Sequence, residues 1–208
     1  IWFINAQYQL AYIEMSTGEV SVFTDLYLQQ QGDLWNASIS PDEGVVALVS
    51  AYVNDPNIYI FDGQELGAIP LKPETTQEGI QNETIQYPDV ISWSPNPQIP
   101  RLAFDALNAV TVGASGSTLQ YWSMYEIDFA ANRIYGLLPA QPREINVGNV
   151  TYSSTDPDFI AFNVIDESGV WDVFVADYGS GDIIALDIPS FSFSGTPVTD
   201  GQRPTFSP

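Results

Sequence analysis

Apolar residues along this chain alternate with polar ones, or occur in runs of four to six, between Gly, Pro, Asn and Asp. The first three runs are IWFIN (Ile1–Asn5), LAYIEM (Leu10–Met15) and EVSVFT (Glu19–Thr24). Such short runs, rich in β-branched and aromatic residues, are typical of half-buried strands and not of helices. The pattern therefore predicts an all-β protein whose strands follow one another as an antiparallel meander.

A serine-centred turn recurs between these strands. It is clearest in SISPDEGVVALVS (Ser38–Ser50), and steps of 54, 59 and 54 residues separate its anchoring serines, which are Ser40, Ser94, Ser153 and Ser207. An apolar strand with a small residue follows each of the first three turns, at Ala47, Ala103 and Ala161. Units of about 50 residues with four short strands have the size of β-propeller blades, which bury both faces only by packing against one another.

The chain holds about four blades' worth of four-stranded antiparallel sheet, and we predict one β-propeller domain or partial propeller over residues 1–208. The blade material is approximately 1–27, 34–71, 88–139, 146–189 and 203–208. Pairing of Pro204–Phe206 with Ile1–Asn5 would close a four-bladed ring. The alternative is a portion of a six- to eight-bladed propeller, which we favour because both ends look cut. The innermost strands, such as Trp35–Ile39 and Val90–Trp93, are expected to line the central channel.

These residues resemble the WD40-like repeat of TolB and of the propeller domains of prolyl oligopeptidase relatives. The likeness lies in SPDEGVVALVS followed by NIYIFDG (Asn57–Gly63), and in the openings Trp93-Ser94-Pro95 and Phe206-Ser207-Pro208. The turn at Ser153 departs from the pattern, because Ser154 stands where proline is expected. The resemblance implies a propeller used as a protein-interaction scaffold or binding platform.

Composition narrows the choice of partner. The net charge is −21, although only 15% of residues are charged, because the chain has five Lys and Arg in total. Nucleic acid is excluded as a partner, since phosphate binding needs clustered basic residues. An anionic membrane surface is disfavoured for the same reason, and no apolar run reaches the roughly 18 residues of a membrane span.

The chain lacks both cysteine and histidine. Disulfides, thiolate metal sites and a Ser-His-Asp triad are therefore excluded, and the GASGS segment (Gly113–Ser117) is interpreted as a loop tip and not as a nucleophile elbow. The acidic residues fall in turns or on solvated faces, and a structural cation is the alternative for Asp42, Glu43, Asp156, Asp158, Asp166, Glu167 and Asp172. We expect no enzymatic activity, no cofactor and no metal.

Two long polar segments, Lys72–Asp89 and Asp105–Thr118, are predicted to be loops. Trp93 and its repeat equivalents Tyr152 and Phe206 are expected to fill the core between blades. Other residues in or beside non-repeating loops are candidates for exposed contact with a partner: Tyr52, Asn54, Asp55, Tyr121, Trp122, Asp166 and Glu167.

The preferred interpretation is a non-catalytic propeller module of an exported, extracytoplasmic protein that binds a protein partner. One alternative is the propeller portion of a serine hydrolase or peptidase whose catalytic domain lies outside this chain. A second is a carbohydrate-binding propeller, with a glycan as the partner.

Overall fold

The computed structural model describes residues 1–23, 34–52, 54–72, 80–112, 117–138, 145–165, 171–185, 191–193 and 196–198. All regular elements within these ranges are β-strands, and every pairing between them is antiparallel. The described part of the chain contains no helix capable of crossing a membrane. The predicted all-β class is confirmed.

Four successive sheets make up most of the described chain, each a meander in sequence order. The first has three strands, namely β1 (Trp2–Ile4), β2 (Leu10–Ile13) and β3 (Val20–Val22). The second, called here the short-strand blade, contains β4 (Leu34–Ile39), β5 (Val46–Ser50), β6 (Asn57–Phe61) and β7 (Leu66–Pro70). The third, called here the long-strand blade, contains β8 (Ile80–Trp93), β9 (Arg101–Val112), β10 (Ser117–Asp128) and β11 (Arg133–Gly136).

The fourth sheet repeats the four-stranded pattern with β12 (Asn146–Tyr152), β13 (Phe159–Ile165), β14 (Trp171–Asp177) and β15 (Asp182–Ala185). A separate hairpin of β16 (Phe191–Phe193) and β17 (Thr196–Val198) follows it. The first strands of the three four-stranded sheets contact one another in order, so that β8 lies between β4 and β12. These sheets are the blades of a partial β-propeller; the predicted closing strand Pro204–Phe206 lies outside the described residues.

The anchoring serines form the turns between the first and second strands of the blades. Ser40, Ser94 and Ser153 are all buried. The Ser40 hydroxyl accepts the Val45 N–H at 3.0 Å and donates to Asp42 Oδ1 at 2.6 Å, while the same Asp42 oxygen accepts the Gly44 N–H at 3.1 Å. These hydrogen bonds lower the pKa of the exposed Asp42 carboxyl. Asp42 therefore serves the turn, as predicted.

The interface between the short-strand and long-strand blades is apolar. Ala47, Val49 and Ile58 of the short-strand blade pack in one buried cluster with residues of the long-strand blade that include Leu102 and Phe104. Trp93 belongs to the same cluster, and its indole Nε1 donates to the Ser38 carbonyl at 3.0 Å. The prediction that Trp93 fills the core between blades is confirmed.

The next interface, between the long-strand blade and the fourth sheet, combines apolar packing with a buried carboxylate. The Glu126 side chain is 1% exposed, and both of its oxygens accept tyrosine hydroxyls, one from Tyr135 and one from Tyr152. The Arg101 Nε lies 3.6 Å from Glu126 Oε1. Burial and the charge of Glu126 raise the pKa of Tyr152 well above its usual range, which keeps its hydroxyl a donor. Tyr152 thus fills this interface as predicted, through a polar contact as well as an apolar one.

The prediction that these two polar segments are loops is wrong in large part. Within Lys72–Asp89, residues from Ile80 onward belong to β8, and within Asp105–Thr118 all residues described belong to β9 or β10. β9 and β10 pair without interruption from Val112↔Ser117 to Arg101↔Asp128. The irregular sequence on either side of the Ser94 turn therefore encodes strands that are longer than those of the neighbouring blades.

Candidate functional site

Each innermost strand carries a β-bulge at an equivalent place. The register shifts between Leu34 and Asn36 in β4, between Pro88 and Ile91 in β8, and between Gly148 and Thr151 in β12. A bulge inserts unpaired residues and turns their side chains or backbone away from the ladder. Three bulges side by side consequently open the channel face of these strands.

The bulged residues line a cavity of about 370 Å³ between the three innermost strands, which we call the channel cavity. Its walls include Trp35 and Asn36 from β4, Asp89 and Ser92 from β8, and Asn149 from β12. Of the two segments predicted to line a channel, Trp35 and Asn36 and the residues from Val90 to Ser92 border this cavity, whereas Trp93 lies in the core between blades. The walls present mainly hydrogen-bonding groups and one exposed indole, as a site for a polar ligand would require.

Asp105 fastens two of these bulges together. This residue is 2% exposed, and its Oδ1 accepts the Val90 N–H at 2.7 Å while its Oδ2 accepts the Asn149 N–H. Burial and the nearby charge of Asp89 raise the pKa of Asp105 to about 7, although the two backbone donors act in the opposite direction. One acidic side chain therefore satisfies backbone donors that the bulges release from two neighbouring sheets.

A second, smaller cavity adjoins the first, and we call it the aromatic cleft. It measures about 230 Å³ and lies between the short-strand and long-strand blades. Its lining includes four aromatic side chains, those of Trp35, Tyr52, Tyr87 and Trp122, together with Asp89. Trp35 and Asp89 border both cavities, and the Trp35 Nε1 donates a hydrogen bond to Asp89 Oδ1 at their boundary.

Two of the predicted contact residues meet in the aromatic cleft although they are far apart in sequence. Tyr52 is 58% exposed and Trp122 is partly buried against Tyr87. Asn54 is exposed and has a positive φ of 74°. Asp55 accepts hydrogen bonds within its own sheet, from Asn57 Nδ2 at 2.7 Å and from the Tyr59 hydroxyl at 2.9 Å. Asp55 thus orders the β5–β6 turn.

The prediction of Tyr121 as an exposed contact is wrong. Tyr121 is 4% exposed and packs against Val110, and its hydroxyl lies 3.4 Å from Glu83 Oε1, to which it donates. The cause is the extension of β9 and β10, which places Tyr121 on a paired strand and covers it. The remaining predicted contacts, Asp166 and Glu167, lie outside the described residues.

Sequence reasoning missed Asp89, Tyr87 and Asn149 as site residues and treated Trp35 only as one aromatic among several. The sequence carries a signal for Trp35 and Asp89. Trp35 and Asp89 each stand five residues before an anchoring serine, so two repeats place chemically different residues at equivalent unpaired positions. Variation at a repeated channel-facing position indicates a role other than blade packing.

The described part of the chain contains no group of three or more acidic side chains placed to hold a metal ion. No protein-family model matches the chain, and no curated protein matches it significantly.

Solved structures similar in fold include TolB from Acinetobacter baumannii, with a TM-score of 0.38, 14% identity, and coverage of 88% of this chain and 49% of that one. A TolB structure from Agrobacterium tumefaciens has a TM-score of 0.36, 11% identity, and coverage of 86% and 69%. Hydrazine synthase from Kuenenia stuttgartiensis has a TM-score of 0.44, 13% identity, and coverage of 86% and 60%.

The chain thus spans about half the length of the Acinetobacter structure. The blade architecture is established by the chain's own four-stranded antiparallel sheets.

Proposed function

We propose that this chain is a non-catalytic β-propeller module that binds a segment of a partner protein in the channel cavity and the aromatic cleft. The observation that carries this proposal is the junction of the two cavities at Trp35 and Asp89. Together they give a concave surface that runs from the innermost strands to the space between two blades. A chain segment, unlike a compact small molecule, would occupy both parts at once.

The composition of the surface supports a peptide ligand. The channel cavity offers hydroxyl and amide side chains, from Ser92, Thr151 and Asn149, which suit peptide groups. The cleft offers aromatic rings, which are enriched at protein interfaces because they contribute large contact area for little lost side-chain freedom.

The non-catalytic assignment rests on the full sequence, which contains neither histidine nor cysteine. We also propose an extracytoplasmic location for the parent protein. The support is compositional, namely a strongly acidic, cysteine-free chain with a single lysine. Attachment of an export-dependent reporter to the parent protein would test this location.

The binding proposal is tested by selection from a random-peptide display library on the immobilised protein, followed by calorimetric titration of the enriched peptides. The variant Asn36→Trp places a large side chain in the channel cavity, whereas Gln64→Trp adds the same side chain to an exposed turn outside both cavities. We expect Asn36→Trp to abolish binding and Gln64→Trp to leave it unchanged. A library without enriched peptides, or equal binding by both variants, would contradict the proposal.

A carbohydrate is the second candidate ligand, because the exposed faces of Trp35 and Tyr52 offer the stacking surface that sugar rings use. Titration with a glycan panel separates the two, since a protein-binding module should not respond to millimolar sugar. The hydrolase alternative concerns sequence outside this chain, and a downstream Gly-x-Ser-x-Gly motif followed by Asp and His in the parent protein would favour it.

A further inference from the structure

The aromatic cleft has the walls of a cation-binding cage. The rings of Tyr87 and Trp122 meet at 86°, with centroids 5.5 Å apart, and so form a corner. Trp35 and Tyr52 also line the cavity and are 47% and 58% exposed. Aromatic faces attract a cation placed within about 6 Å of the ring centroid, and several faces around one point add their attraction.

The charge in the cleft has the sign that a cation needs. Asp89 lies in the wall, and its hydrogen bond from Trp35 Nε1 fixes one indole relative to the carboxylate. The negative charge of Asp89, in addition to burial, raises the pKa of the Tyr87 hydroxyl. The phenol therefore stays neutral, and its ring retains the electron-rich face that attracts cations. The whole chain, with its net charge of −21, adds a long-range field of the same sign.

The size of the cleft limits the ligand. At about 230 Å³ it is smaller than the cavities of roughly 300 Å³ or more that hold whole small molecules. A single guanidinium or alkylammonium group on its aliphatic stem fits this description, because the stem can pack against Pro88 and Ala51 while the head meets the rings and Asp89.

We propose that the aromatic cleft binds the cationic side chain of an arginine or lysine in a peptide segment of the partner. This inference rests on the proposed function, because it names the residue type that the partner inserts. It also places the bound segment: the basic residue lies in the cleft, and the adjoining backbone runs across the Trp35–Asp89 boundary into the channel cavity.

The test uses blocked pentapeptides of sequence Gly-Gly-Xaa-Gly-Gly, in which Xaa is Arg, Lys, citrulline or norleucine, and follows the indole N–H signals of the protein by NMR. We expect the Arg and Lys peptides to shift the Trp35 and Trp122 signals in a saturable manner. The citrulline peptide is the matched control, since it has nearly the shape of arginine without its charge. Replacement of Trp35 or Trp122 by Phe assigns the two signals.

Variants of the cleft residues separate a local cation site from general electrostatic attraction to the acidic chain. Tyr52→Leu removes one aromatic face without changing the net charge, and should lower the affinity for the Arg peptide by about threefold to thirtyfold. Tyr52→Phe retains the face and should bind like the parent. Asp89→Asn keeps an acceptor for the Trp35 N–H. It should lower the affinity for the Arg peptide by roughly fivefold and leave the affinity for the citrulline peptide unchanged.

Several results would overturn the inference. Equal shifts with Arg and citrulline peptides would exclude a cation site, and an unchanged affinity of Tyr52→Leu would exclude the cage. Saturable shifts with tetramethylammonium but with none of the peptides would assign the cleft to a small free cation. Library-selected peptides that depend on Asn36 but contain no required basic residue would leave the proposed function standing and remove this inference alone.

Discussion

Two of the inter-blade interfaces in the described part of the chain, those on either side of the long-strand blade, use equivalent strand positions and different chemistry. Between the short-strand and long-strand blades, Ala47 of β5 pairs with Ile60 of β6, and both face the next blade with Val49. Between the long-strand blade and the fourth sheet, the corresponding pair is Ala103 of β9 and Glu126 of β10. Two residues after the alanine, the first interface has the apolar side chain of Val49, whereas the second has the carboxyl of Asp105.

The replaced positions show what each interface depends on. Val49 is 1% exposed and contributes by removal of apolar surface from water, which does not change with pH. Asp105 and Glu126 are buried just as deeply, and a buried carboxyl is tolerated only with hydrogen-bond partners. Both have them, Asp105 in backbone N–H groups and Glu126 in tyrosine hydroxyls. The second interface is therefore more specific in its contacts and more sensitive to proton concentration.

The largest expected difference between the interfaces is in pH dependence, through Asp105. Its folded-state pKa of about 7 lies above that of an unfolded aspartate, so the folded state holds a proton that the unfolded state has lost. This contribution to stability is complete below about pH 4 and is lost as the pH rises to about 7, with a total of about 4 kcal/mol at most.

The measurement is urea unfolding of the parent and of Asp105→Asn at several values between about pH 5 and about pH 8. The parent should lose stability across this range, by up to about 3 kcal/mol, and the variant, which cannot ionise here, should lose much less. Asp62→Asn is the matched control in the short-strand blade. Backbone hydrogen bonds lower the pKa of Asp62, so its contribution changes only in more acidic solution. Parallel pH profiles for the parent and Asp105→Asn would refute this role of Asp105.

A smaller effect is expected from steric pressure on the same carboxyl. A Cβ added at Gly148 would lie 2.7 Å from Asp105 Oδ2, which is closer than real contacts allow. Gly148→Ala should therefore displace Asp105 from its backbone donors and cost about 1–3 kcal/mol, as overpacking of a core usually does. At Gly67 in the short-strand blade the nearest atom is 4.0 Å from the added Cβ, and Gly67→Ala should change stability by less than about 0.5 kcal/mol.

Thermal unfolding of the two glycine variants decides this point. If Gly148→Ala is as stable as Gly67→Ala, the close approach of β9 and β12 is not a constraint on the fold. If Gly148→Ala is destabilised and also loses the pH dependence of the parent, the steric and electrostatic effects share the Asp105 carboxyl as their common cause.

The features that sequence predicted correctly are those determined by neighbouring residues. The turn at Ser40 could be predicted because Asp42 and Gly44, which complete it, are adjacent in the chain. The period of the repeat followed from the same turns. The strand around Glu83 was missed because its pairing partner β9 is distant in the chain, and such a polar segment becomes a strand only when β9 lies beside it.

The site was harder to predict than the fold. Tyr121 and Trp122 are adjacent aromatic residues, and strand alternation sends them to opposite faces, so one is buried and one reaches the cleft. The local sequence does not decide which of the two is buried, because a shift of one residue in register would exchange their positions. The repeat spacing marks Trp35 and Asp89 as equivalent, but the bulges that leave both unpaired depend on pairing with the second strand of each blade, which the local sequence does not show.

The smallest expected difference concerns a hydrogen bond that both interfaces share. In the first, the Trp93 N–H lies 3.4 Å from Ser38 Oγ, and in the second the Tyr152 N–H lies 3.0 Å from Ser92 Oγ. Both serines stand two residues before an anchoring serine, so the bond repeats from blade to blade. The second bond has the distance of a well-formed N–H···O contact and the first is near its limit.

We therefore expect Ser92→Ala to cost about 1 kcal/mol, because it leaves the Tyr152 N–H without this acceptor, and Ser38→Ala to cost less than half of that. Urea unfolding at one pH below the Asp105 transition compares them without interference from that group. The same cost for both variants would mean that the shared bond is equivalent at the two interfaces, and that their difference lies wholly in the buried carboxyls. A larger cost for Ser38→Ala would reverse the ranking and would show that the apolar interface depends more on this bond, because it has fewer polar contacts to replace it.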